Sequence, residues 1–316
     1  MSWTFTSSIR LILMVALVAL FPANRTQAQT PLAEAATAER AAGEAFKKRK
    51  YAEAEVLHRN ALVIREKVLG RDHPDTARTV DNIGITREHQ GKYTDAESEY
   101  RRALAIRQQV FGPMHPDTAQ SMSHVASALG HQGKHAEAEV LHRNALAIRE
   151  KALGPEHLDT ARSVNAVGLA LDRQGYYAEA EKQYRRAHAL REKALGPEHP
   201  DTIWSLQAIG LMRNRLGKYA EAETIHRRVL AAREKKPGPE HADTVWTLNA
   251  IGSALERQGK YADAESFYRR ALVTREKVLG PEHPDTRRSV DQVREVLKRQ
   301  GKQTEAAALS PRMPNP

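Results

Sequence analysis

A period of 42 residues constrains this chain more than any other feature. Gly91, Gly133, Gly175, Gly217, Gly259 and Gly301 keep that interval, and so do His73, His115, His157, His199, His241 and His283. Each histidine opens a His-Pro-Asp-Thr-like tetrapeptide. A fixed period of about 20–50 residues builds stacked arrays in which each unit touches only its neighbours. Such arrays present surfaces rather than enclosed reaction pockets. One elongated array is therefore expected where 316 residues would otherwise allow two globular domains.

Each repeat holds two helical stretches and two punctuation marks. In residues 75–116, Asp75 follows Pro74 and is expected to cap the first helix, with its carboxylate accepting free amides of the first turn. Val80, Ile83, Gly84 and Arg87 then recur at helical spacing up to Gln90, and Gly91 supplies the left-handed residue that ends the helix. A second helix from about Thr94 to Val110 carries Ala96, Tyr100, Ala103, Leu104 and Arg107 along one side until Gly112-Pro113 stops it. No segment alternates as a strand does, so the chain reads as all-α. An aromatic content of only 5% suits closely stacked helices.

Val80, Ile83, Gly84, Ala96, Tyr100 and Ala103 resemble the tetratricopeptide signature, in which small and large side chains interlock the two helices of a unit. Ala54, Ala96, Ala138, Ala180, Ala222, Ala264 and Ala306 all hold one position of that pattern. With Gln-Gly-Lys-Tyr, Ala-Glu-Ala-Glu, Arg-Arg-Ala-Leu and Gly-Pro-Glu-His-Pro-Asp-Thr, residues 33–309 resemble the elongated kinesin light chain type of repeat. The resemblance implies a right-handed α-solenoid of antiparallel helix pairs, a TPR-like superhelix. Its pairs would fall at 33–74, 75–116, 117–158, 159–200, 201–242 and 243–284, with a partial seventh from Asp285. The first pair departs from the pattern, with Ala41 and Ala42 at the interlocking couple and Arg49 at the joint glycine. Pro237 replaces the leucine seen at Leu195 and Leu279, so the second helix there should end early and loosen its junction.

The ends differ from the array. Arg10, the apolar run Leu11–Phe21, Pro22 and small Ala28 read as an export signal at 1–28, leaving the array at 29–309 and a proline-rich disordered tail at 310–316. The apolar run is short of the ~20 residues a spanning helix needs, so no stable membrane span is expected after cleavage. The mature protein would be periplasmic or secreted. Absence of cysteine excludes disulfides and cysteine catalysis.

The formal charge of +10 favours acidic partners. Much of it lies late in second helices, as at Arg101, Arg102, Arg107, Arg185, Arg186, Arg191, Arg269, Arg270 and Arg275. These read as a solvated face complementing the helix dipole. Scarce aromatics offer few stacking platforms, and nucleic acid is not an expected partner.

The loop histidines read as turn caps. His58, His142 and His226 alternate with Tyr100, Tyr184 and Tyr268 at one position and are expected in the packing layer with one ring nitrogen satisfied. No nucleophile elbow or phosphate-binding glycine loop is present, so neither an enzyme nor a cofactor or metal is expected.

Information about a partner lies where the period holds but the residue changes. One first-helix position runs Arg78, Gln120, Arg162, Trp204, Trp246, Arg288, the next runs Asp81, Ser123, Asn165, Gln207, Asn249, Asp291, and a third runs His89, His131, Arg173, Arg215, Arg257, Arg299. The resemblance implies that first helices line a concave groove. Trp204 and Trp246 would be its anchors, Asn165, Gln207 and Asn249 an amide ladder for an extended backbone, and Arg173, Arg215 and Arg257 its carboxylate-binding side. Packing of both indoles between helices is the alternative placement. The leading expectation is a non-enzymatic scaffold holding a protein or extended acidic peptide. Self-association within the envelope, or service as an accessory module for a separate enzyme, are the other two, and the sequence leaves the oligomeric state open.

Overall fold

The computed structural model describes residues 22–309, with side chains from Thr30 onward. Most of the expected export signal and all of the expected tail lie outside the described residues. Among those residues there are fourteen α-helices and no strand. They are α1 (Pro22–Lys47), α2 (Tyr51–Leu69), α3 (Pro74–His89), α4 (Tyr93–Phe111), α5 (Pro116–His131), α6 (His135–Leu153) and α7 (Leu158–Arg173), followed by α8 (Tyr177–Leu195), α9 (Pro200–Arg215), α10 (Tyr219–Lys235), α11 (Ala242–Arg257), α12 (Tyr261–Leu279), α13 (Pro284–Arg299) and α14 (Gln303–Ala308). Two compact units divide the chain, one up to Ala166 and one from Val167. Within each, consecutive helices pack on one another.

The short joints follow from local chemistry. Gly91 and Gly112 take φ values of 77° and 90°, which an L side chain resists, and Arg49 occupies the first joint in the same left-handed region at φ 59°. Helix starts correct one expectation. His73, rather than Asp75, is the N-cap of α3: its Nδ1 accepts the Asp75 N–H at 3.1 Å, and Pro74 takes the first helical position. Proline fits there because that N–H has no partner in the helix in any case. His115, His157, His199, His241 and His283 cap the following first helices in the same way. Pro237 shortens its helix as anticipated, since α10 ends at Lys235 after 17 residues where α8 and α12 run for 19. The joint beyond it keeps its cap, with the Asp243 N–H donating to His241 at 3.2 Å.

Arginines on the second helices overturn a second expectation at one position of the repeat, while Arg101, Arg185, Arg186 and Arg270 are exposed as expected. Arg65, Arg107, Arg149 and Arg233 are buried, not part of a solvated face. Each reaches into the start of the next first helix. Arg65 Nη1 donates to the Asp75 carbonyl at 2.9 Å and to Thr79 Oγ1 at 2.7 Å, and Arg233 repeats both bonds with Asp243 and Thr247. Arg107, Arg149 and Arg275 donate to Ser121, Ser163 and Ser289 at the equivalent site. A planar guanidinium with five donors suits this cradle in a way lysine does not.

Inside each pair, a ring on the second helix sits against a missing side chain on the first. A Cβ added to Gly84 would lie 2.5 Å from Tyr100 Cε1, and one at Gly210 would lie 2.6 Å from His226 Cε1. Tyr100 and Tyr268 are buried and donate their hydroxyls to Glu88 at 2.9 Å and Glu256 at 3.0 Å. Glu88 and Glu256 are matched along the period by Asp172 in the Tyr184 repeat, and by Phe46, Gly130 and Asn214 in the histidine repeats. A sealed phenol needs an acceptor and the imidazole does without a carboxylate, so ring and partner change together.

Gly84→Ala is expected to destabilise by about 1–3 kcal/mol through overpacking against Tyr100. Gly43→Ala, in α1 with no neighbour within 4 Å of the added Cβ, should instead gain about 0.5–1 kcal/mol. Urea unfolding of the two variants checks both signs.

Candidate functional site

His199 and His241 cap α9 and α11 from two residues ahead of Asp201 and Asp243, so the helices start at Pro200 and Ala242, which fixes the rotation of both helices about their axes. That rotation brings Trp204 and Trp246 to the surface. They are 41% and 37% exposed, although neighbouring Ile203, Ser205, Val245 and Thr247 are buried. Each indole also packs edge-on against the inner ring of the preceding pair: Trp204 on Tyr184 at 6.2 Å between centroids, Trp246 on His226 at 6.1 Å. Packing between helices therefore accounts for only part of each ring. One edge is held by a buried ring, and the rest of the indole faces solvent.

An open cleft of about 480 Å³ on the C-terminal unit runs between α9 and α11. Trp246, Asn249, Arg215 and Arg257 line it, together with Leu211, Asn214, Tyr219, Ala250 and Ser253. Four of the eight predicted residues therefore meet at one place. Trp204, Gln207 and Arg173 belong to the same unit but not to this cleft, and Asn165 belongs to the N-terminal unit.

The arginines of the third varying position have work inside the fold. The Arg215 guanidinium lies 5.6 Å from the centre of the Tyr177 ring, within cation–π range. His89 and His131 stack on Tyr51 and Tyr93 at the corresponding places, 5.3 and 4.7 Å between centroids. Burial pushes the half-buried Asp172 carboxyl upward, against the charges of Arg215 and Arg173. Arg257 is exposed on the cleft wall.

The amides are less satisfied than the cations around them. Gln207 Oε1, Asn249 Oδ1 and Asn214 Oδ1 are sealed from solvent without a hydrogen bond in the protein. Asn214 places its Nδ2 3.4 Å from His226 Nε2, and His226 Nδ1 is sealed without a partner. Asn214 did not stand out in the sequence. Its signal was the 42-residue comparison with Glu88, Asp172 and Glu256, which shows an acid withdrawn from that position.

The chain belongs to the tetratricopeptide repeat family, whose model matches residues 34–109, 79–139, 117–193, 165–235, 208–276 and 243–310. Its fold is similar to a putative kinesin light chain with nearly identical TPR-like repeats from Podosopora anserina, at 22% identity and TM-score 0.58 over 65% of this chain and 97% of that one. It is similar also to BtubC (BKLC) from P. vanneervenii, at 21% identity and TM-score 0.59 over 79% and 92% of the two chains. A Rap protein complexed with competence and sporulation factor matches at 17% identity and TM-score 0.55, over 86% of this chain and 76% of that one. None of the curated proteins matches the chain. The chain is thus an all-α tetratricopeptide array of the elongated type. No helix among the described residues is long and apolar enough to cross a membrane.

Acid should weaken the packing layer within the helix pairs, at His58 and His142 in the N-terminal unit and at His226 in the C-terminal one. Burial lowers the pKa of His58, His142 and His226, to about 4 for the last two, and nearby Arg149 and Arg233 add to this. Above the ordinary value of 6.5 these rings are neutral folded or unfolded and contribute no pH dependence. Between 6.5 and about 4 the unfolded chain binds protons that the folded rings refuse, so stability falls as pH falls and levels off below about 4 for this group. Urea midpoints at pH 8, 6 and 5 should drop in that order. The drop should be smaller in His226→Tyr, whose hydroxyl would meet the unpartnered Asn214 carbonyl.

Proposed function

We propose that the protein is a non-enzymatic scaffold that holds an extended, acidic segment of another protein along the first helices of its C-terminal unit. The observation that carries this reading is the joint presence, in one open cleft, of a half-exposed indole, sealed amide carbonyls without donors, and two arginines. An extended backbone brings N–H groups that such carbonyls lack. Tryptophan anchored on one edge supplies rigid contact area with little entropy left to lose, and arginine favours carboxylates over neutral side chains. The Rap protein bound to competence and sporulation factor offers a precedent, within this fold, for a bound factor.

Export is part of the same proposal. The basic–apolar–small pattern of residues 1–28 supports cleavage after Ala28 and a partner met outside the cytoplasm. N-terminal sequencing of the protein recovered from its host should then read from Gln29.

Binding is tested with fluorescent acidic decapeptides by polarisation. Trp246→Ala is expected to weaken capture about 30-fold, since central tryptophans at interfaces contribute about 2 kcal/mol or more. Trp204→Ala should have a smaller effect, because its indole lies outside the cleft. Unchanged affinity in the double variant, with helicity and unfolding midpoint retained, would remove the cleft from consideration.

A further inference from the structure

The six equivalent arginines at the repeat joints are not neutralised alike. Arg65 bonds to Glu39 at 2.7 Å, and Arg107 bonds to Asp81. In both cases the acid stands 26 residues before the arginine. Along the period that acid position becomes Ser123, Asn165, Gln207 and Asn249. Arg149, accordingly, meets the Ser123 hydroxyl at 3.2 Å where Arg107 meets a carboxylate.

The consequence is sharpest in the C-terminal unit. Arg233 keeps the whole cradle that holds Arg65, with a main-chain carbonyl and a threonine hydroxyl at the same distances, and is only 6% exposed. No carboxylate lies within ion-pair distance of it: Asp243 gives its main-chain carbonyl, and its acid group acts from farther off. Arg275 donates to Ser289 and likewise touches no acid. Desolvation lowers the pKa of both guanidiniums, only partly offset by Asp243 and Asp285, with Arg288 adding to the lowering at Arg275. At the acid's own position, Gln207 and Asn249 carry carbonyl oxygens sealed without a donor.

A second substitution opens the way in. Asp81 also faces His124 Nδ1 at 3.4 Å. Three repeats on, the residues matching Asp81, Arg107, Ser121 and His124 are Gln207, Arg233, Thr247 and Ala250. Ala250 lines the cleft. Where one repeat fills this place with an imidazole and a carboxylate, the other has a methyl group on the cleft wall, an amide and a cation that no acid neutralises.

We propose that Arg233 and Arg275 are acid-reading subsites, at which two side-chain carboxylates of the bound segment take the places that Glu39 and Asp81 fill within the chain. Backbone N–H groups of the same segment satisfy the Gln207 and Asn249 carbonyls. This rests on the peptide-binding reading above and adds its register: besides the acids that Arg215 and Arg257 attract, two acids of the partner fall at consecutive repeat joints. Part of the unfavourable burial of each cation is then relieved only in the complex.

The test restores the missing acids. The whole chain carrying Gln207→Asp and Asn249→Asp is compared with wild type and with Thr224→Asp plus Ser266→Asp, which adds the same charge on exposed second-helix positions. The probes are an amidated glutamate decapeptide and a glutamine decapeptide with a free C-terminal carboxylate. The filled variant should unfold at higher temperature and bind the glutamate peptide about tenfold or more weakly, as expected when a buried charge pair is pre-empted. The surface control should change binding much less. Should the double variant fail to fold, Gln207→Asp alone carries the same expectation for Arg233. Glutamate-peptide binding that needs Trp246 but is indifferent to the restored acids overturns the subsites and leaves the scaffold reading standing. Equal binding of the glutamine peptide assigns recognition to a terminal carboxylate and overturns the proposal as well. No capture of either probe by the wild-type chain removes both readings together.

Discussion

The array depends on one recurring contact: a guanidinium from the second helix of six successive pairs lodged at the start of the next first helix, buried at Arg65, Arg107, Arg149 and Arg233. Helix pairs with short joints have little area in common unless something fixes the angle at which one pair follows another. Arg65 does this with a main-chain carbonyl and a hydroxyl fourteen residues on, and the same two-point grip recurs at Arg233. Because the acceptor is the first turn of the next helix, the grip sets rotation as well as distance. The histidine caps act on the same turn from the other side, so start and orientation of each first helix are settled by residues within a few positions of one another. An array whose every joint is defined locally can keep a strict period while its exposed positions vary.

Packing within each pair answers a different constraint. Tyr100 and His226 fill equivalent places because each meets a glycine, yet their polar atoms demand different neighbours. Glu88 accepts the phenol hydroxyl, and it also accepts from Ser127 at 2.8 Å on the next first helix, so one acid links two repeats. In the His226 repeat the matching residue is Asn214, whose amide serves the imidazole and leaves its carbonyl unpaired. Of the three histidine repeats only this one keeps unused polar capacity at that place, beside the cleft, since Phe46 and Gly130 stand there in the others.

Much of the architecture was legible because punctuation and period are local properties. Gly91, Gly112 and Pro237 act where the sequence put them, and six histidines cap turns as their placement suggested. The identity of the cap itself was misread, since an aspartate after proline satisfies the usual preference, whereas an imidazole two residues earlier reaches the same N–H. The joint arginines were misread for a related reason. A charge late in an amphipathic helix looks solvated until the next helix is laid against it, and no one-helix pattern contains that helix. Within the candidate site the indoles were legible as the departures they are. Their double role was not, because an edge contact with Tyr184 or His226 depends on the pitch between neighbouring pairs.

The unequal neutralisation of the joints has a physical implication for where an array of this kind can bind. A buried cation without a partner is unfavourable by several kcal/mol, and replacing its acid with an amide should be selected against wherever the joint serves structure alone. Glu39 and Asp81 show that the fold can supply that acid from within, in side chains no longer than Gln207 and Asn249. Steric need therefore does not account for the amides. Ser123 and Asn165 lack the acid too, in the N-terminal unit, and alanine stands in the His124 position at Ala166 and Ala208 as it does at Ala250, so neither substitution marks a binding face by itself. What sets the Gln207 and Asn249 joints apart is that their amide carbonyls are sealed without a donor, in the unit whose cleft a half-exposed tryptophan already marks. An internal partner that is missing where a surface is already shaped to receive one is the arrangement an external partner completes.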